Sequence, residues 1–181
     1  MKNITILILS IILFNSSCKK ESKMNSPKAI SLFYFTGSID AINGLSCDYM
    51  HNNIEIKKEL ADTIAISNND FNRIKNFLNK NELTTQGSRC DVRMILEFES
   101  NQICIGEFNC ITNIKEDYIE SDLSNIYLIK YLSGYFNYFT KEQLIYDETI
   151  KKYGIPNNYK YIESNSPLER KEGVKIIFIS K

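Results

Sequence analysis

The chain has 181 residues, with 22 Lys and Arg against 22 Asp and Glu, five Cys and one His. A balance this even leaves no basic surplus to neutralise phosphates, which argues against nucleic acid as a partner. With His51 as the sole imidazole, proton-transfer and histidine-metal chemistry have little to work with.

The chain opens with Lys2, an apolar run over 4–14, the small polar stretch Asn15-Ser16-Ser17 and then Cys18. A run of eleven residues is too short to span a hydrocarbon core, which needs about 20 in a helix. The layout is that of a secretory signal. Small residues directly before a lone cysteine resemble the lipobox of bacterial lipoproteins, with Asn15 standing where an aliphatic residue is usual. The resemblance covers residues 1–18. It implies removal of 1–17, lipidation of Cys18 by fatty acyl groups such as palmitate, and a durable membrane anchor. Lys19 in the second mature position, instead of aspartate, implies the outer membrane and leaves the periplasmic or surface side open. Residues 18–28, mostly charged and polar with four Lys, carry too little apolar surface to fold and read as a flexible tether.

Residues 29–181 read as a single α+β domain with a mainly antiparallel sheet and about three helices. The aromatic and aliphatic run over 29–36 predicts a buried strand. Residues 37–53 read as irregular, with a turn at Asn43-Gly44. One or two strands are expected over 53–66. Ser67 as N-cap, Asp70 at the third helical position and the pair Ile66 and Phe71 then mark a helix. Its buried stripe is Phe71, Ile74, Phe77 and Leu78.

Two period-2 runs, 92–98 and 102–108, predict a hairpin joined by Glu99-Ser100-Asn101. The favoured register opposes Arg93 to Glu107, Ile95 to Ile105, Leu96 to Cys104 and Val92 to Phe108. It also sets Cys90 opposite Cys110, within reach of a disulfide. Export to an oxidising compartment favours two disulfides among Cys47, Cys90, Cys104 and Cys110, and the hairpin leaves Cys47 for Cys104.

A second helix is expected over about 122–133, ended by Gly134. A third starts at Thr140, with Gln143 closing a capping box and Phe139 and Leu144 as staple, and runs to about Tyr153. Strands are expected at 159–162 and 174–179.

Few residues here point to chemistry. Cys47 and His51 are close in sequence, but zinc sites want more histidines or cysteines than this, and export favours an oxidised Cys47. Glu116, Asp117, Glu120 and Asp122 lack the frame of a calcium loop and suit the start of a helix. Tyr131, Tyr135, Phe136, Tyr138 and Phe139 form either a core corner or an exposed platform, and Tyr135 and Tyr138 are the candidate binding residues. No catalytic residue, metal or cofactor is expected. The leading expectation is a lipid-anchored envelope protein that binds an envelope protein or peptide, or maintains the envelope, without catalysis. Competing readings are a small hydrolase with converging carboxylates and an immunity or inhibitor protein.

Overall fold

The computed structural model describes residues 28–36, 44–53, 62–80, 83–84, 90–162 and 173–181. The signal segment, Cys18 and all of the tether but Lys28 lie outside the described residues, as does the expected strand pattern at Ile54 and Ile56. Strands β1 (Ala29–Tyr34), β2 (Asp62–Ile66), β3 (Val92–Phe98), β4 (Asn101–Gly106), β5 (Ile111–Thr112), β6 (Tyr118–Ile119) and β7 (Val174–Ser180) form one sheet. Its order is β2-β7-β1-β3-β4-β5-β6. The β2–β7 pair is parallel and every other pair antiparallel, so the domain is α+β with a mainly antiparallel sheet.

Both faces of the central strands are covered, which explains the unbroken apolar stretches at their centres, Leu32–Tyr34, Met94–Leu96 and Ile103–Ile105. On the larger side Ile30, Leu32, Met94, Leu96, Ile105 and Phe178 meet two helices, α2 (Asn68–Leu78) and α3 (Leu123–Leu132). On the other side Phe33, Phe35, Ile95 and Cys104 pack with Cys47 and Met50 of the short helix α1 (Cys47–Asn53).

The hairpin register departs from the expected one by a residue. Its turn holds only Glu99 and Ser100, with Glu99 in the left-handed region at φ 55°. Ile95 therefore opposes Cys104, and Leu96 opposes Ile103. A second shift falls between Val92 and Met94, where Arg93 is bulged out of the alternation and Val92 opposes Gly106. Val92 and Ile95 thus share the α1 face although three residues apart. Phe108, expected opposite Val92, instead sits exposed in the turn beyond β4. Both expected disulfides are present, Cys47–Cys104 and Cys90–Cys110. The shifted register turns Cys104 to the α1 side, where Cys47 lies. Gly106 is pressed against the other bridge, since a Cβ there would stand 2.4 Å from Cys110 Sγ and 2.6 Å from Cys90 Sγ.

α2 starts as its caps dictate: Ser67 Oγ accepts from Asp70 N at 3.1 Å, and Phe71, Ile74, Phe77 and Leu78 are buried. α3 is capped by Asp122, whose carboxylate accepts from Asn125 N. α1 was not expected. Ser46 Oγ caps it by accepting from Tyr49 N at 3.0 Å, and the disulfide at Cys47 holds its first turn on the sheet. The helix expected from Thr140 to Tyr153 is broken into α4 (Lys141–Leu144), with the full capping box, and α5 (Glu148–Tyr153). Residues 159–162 are not a strand. The N–H of Lys160 goes to Asn137 Oδ1 and that of Ile162 to Asn137 O, so the segment binds the 3-10 helix Tyr135–Tyr138 instead of a strand edge.

Candidate functional site

The break between α4 and α5 is explained by one buried cation. Lys130, on α3, is only 2% exposed. Its Nζ donates to Asp147 Oδ2 at 2.5 Å and to Asn109 Oδ1 at 2.7 Å, and stands 5.3 Å from the centroid of the Tyr135 ring. Asp147 is also the N-cap of α5, its Oδ1 accepting from Thr149 N at 2.8 Å and Thr149 Oγ1 at 2.6 Å. One carboxylate thus starts a helix with one oxygen and neutralises a buried ammonium with the other. A continuous helix would leave the Thr149 N–H bonded to the backbone and the side chain of Asp147 without this capping role.

The electrostatics follow from burial. Burial pushes the Asp147 carboxyl up, but the Lys130 charge and the hydrogen bonds from Lys130 and Thr149 outweigh it, leaving Asp147 below its ordinary value. Burial lowers Lys130, against the opposing pull of Asp147. Burial, with the Asp147 charge adding to it, raises Tyr135 well above the ordinary tyrosine range. Asp147 is therefore held as the carboxylate, and the tyrosine beside it stays protonated at neutral pH.

The other partner, Asn109, ends the turn after β4. It is buried, adopts φ 62°, and its N–H donates to Gly106 O at 3.0 Å while its carbonyl accepts from Ser121 Oγ. Asparagine is one of the few non-glycine residues that tolerate this conformation. Its Nδ2 has no acceptor among the described residues.

Each of these two ligands of Lys130 has an exposed aromatic as its immediate neighbour. Phe108 precedes Asn109 and is 76% exposed; Tyr146 precedes Asp147 and is 75% exposed. Ile145, beside Tyr146, is 54% exposed. Large apolar side chains held in water by a rigid polar anchor are the chemistry of protein recognition, where aromatic residues supply most of the affinity.

The residues expected to bind fall elsewhere. Tyr135 is buried at 7% exposure and Tyr138 is half-buried against the same core, their rings 5.4 and 5.9 Å from Tyr34. Apart from Tyr131, which is exposed, the aromatic joint is a core corner, because the 3-10 helix turns the rings of Tyr135 and Tyr138 inward against β1. Cys47 is oxidised, so it serves neither as nucleophile nor as metal ligand. His51 Nδ1 lies 3.0 Å from Gln102 Nε2 and 3.6 Å from Glu97 Oε1. The acidic stretch separates into an Asn113-centred turn, strand β6 and the Asp122 cap. Among the described residues no group of three or more His, Cys, Asp and Glu is placed to hold a metal.

Sequence reasoning missed Lys130, Asn109 and Asp147. A signal was there: a lone lysine inside the apolar run Ile126–Leu132, and Asp147 two residues before Thr149 within an expected helix. No protein-family model, no curated protein and no solved structure matches the chain.

Proposed function

We propose that the chain is a lipid-anchored bacterial envelope protein whose exported domain binds a protein partner without catalysis, through the face that carries Phe108, Ile145 and Tyr146. The observation that carries the binding reading is the placement of two highly exposed aromatics beside the two ligands of one buried lysine. The lipobox-like segment ending at Cys18 supports the anchor, and its Lys19 supports the outer membrane. Two disulfides suit an exported domain.

Two measurements test the two halves of this reading. Metabolic labelling with a fatty acid is expected to mark the wild-type chain and not Cys18→Ala; equal labelling of both removes the anchor. Affinity purification from envelope fractions is expected to recover a defined protein with the wild type and to lose it with Phe108→Ser/Tyr146→Ser. Equal recovery by that variant removes the binding face.

A further inference from the structure

We infer that the groove between α2 and α3 is a binding site for an acidic saccharide, an activity separate from the Phe108 and Tyr146 face. The groove measures about 340 Å³ and is lined by Asn69, Asn72, Arg73, Asn76, Lys80 and Asn125, with Phe77 at its base. That volume is within the range of small-ligand sites.

Steps of three and four residues place Asn69, Asn72 and Asn76 along one side of α2, all three exposed. Their side-chain amides make no hydrogen bond among the described residues. Asparagine is a poor helix former, and alanine at such positions would favour the helix, so helix stability does not account for the row. Each amide presents two donors and an acceptor, which complements a ring bearing vicinal hydroxyls.

The acid preference comes from Arg73. Its Nε donates to Asn125 Oδ1 at 2.7 Å and a terminal nitrogen donates to Ser124 Oγ, so both of its partners are neutral. Asn125 is itself held, with Nδ2 donating to Asp122 Oδ2 at 2.8 Å. The guanidinium is therefore fixed across the two helices by neutral acceptors. A planar guanidinium matches a carboxylate with two parallel hydrogen bonds. Lys80 lines the same groove, but its charge is already met by Asp122, with Nζ 3.7 Å from Asp122 Oδ2, which leaves Arg73 as the lining cation held by neutral partners. A peptide would need an apolar anchor point, and the only apolar lining residue, Phe77, is buried.

The test is an amide-shift titration by NMR, using the full chain in detergent, with tetragalacturonate as probe and maltotetraose as the neutral control. Tetragalacturonate is expected to shift amides of α2 and the start of α3, and maltotetraose to bind about tenfold or more weakly, a difference one charge-assisted contact supplies. Asn72→Ala/Asn76→Ala is expected to melt no lower than wild type and to bind tetragalacturonate about tenfold more weakly, the size of a lost hydrogen-bond set. Arg73→Gln is expected to bind the two probes equally. The absence of shifts in α2, equal binding of both probes by wild type, or unchanged binding by the double asparagine variant would overturn the proposal.

Discussion

Lys130 Nζ and Asp147 Oδ2 meet at 2.5 Å beneath the surface, and this contact joins the middle of α3 to the start of α5. Asn109 adds the turn beyond β4 to the same ammonium at 2.7 Å. Three segments distant in sequence are thereby held by one side chain, and two of them display exposed aromatics.

Breaking this pair from one side is expected to be costly. Lys130→Met leaves the Asp147 carboxylate without its cation, and Asp147→Asn leaves the ammonium unpaired while keeping a capping oxygen. Each is expected to lose about 3–5 kcal/mol in denaturant unfolding. The double variant Lys130→Met/Asp147→Asn is expected to recover about 2 kcal/mol or more of the summed loss, because no buried charge then stands alone.

The same pair sets an acid dependence. Asp147 has its folded-state value depressed below the ordinary 3.8. Its contribution is therefore full above the unfolded value and is lost as pH falls through the folded one. The stability difference between wild type and Asp147→Asn is expected to be constant near neutral pH and to shrink below about pH 4. A difference that grows on acidification would contradict the sign.

The two disulfides close loops of different length, with separations of 57 residues for Cys47–Cys104 and 20 for Cys90–Cys110. Chain entropy gives about 4 and about 3 kcal/mol for them, so Cys47→Ser/Cys104→Ser is expected to be the more destabilising pair in thermal unfolding.

Gly106 guards the shorter bridge. Its added Cβ would overlap both sulfurs, at 2.4 and 2.6 Å. Gly106→Ala is expected to raise free thiol, measured under denaturing non-reducing conditions, where the wild-type domain is expected to show none from these two cysteines.

Much of the fold was legible because its signals are local. Ser67, Asp70 and the stripe Phe71, Ile74, Phe77 and Leu78 specify α2 within a dozen residues, the apolar runs at 29–36 and 174–179 specify β1 and β7, and the alternation over 92–98 specifies β3. The hairpin and its disulfide partners were legible, but the register was not. It depends on Arg93 leaving the pleat, where its guanidinium reaches Asp91 at 2.5 Å and Glu107 at 3.5 Å, a choice that alternation alone does not encode. β5 and β6, two residues each, are too short to show a period. The candidate site was illegible for a related reason. Lys130 looks like one exposed position on an apolar helix until Asp147, 17 residues away, and Asn109, 21 residues away, are seen to meet it.

Site-specific photo-crosslinking in intact cells tests the binding face most directly. A photoreactive phenylalanine would replace Phe108, Tyr146 or, as control, Tyr49, which is 51% exposed on α1. Positions 108 and 146 are expected to give adducts to one and the same envelope protein, and position 49 none. Adducts equal at all three positions, or absent from 108 and 146, would contradict a recognition surface built on Lys130.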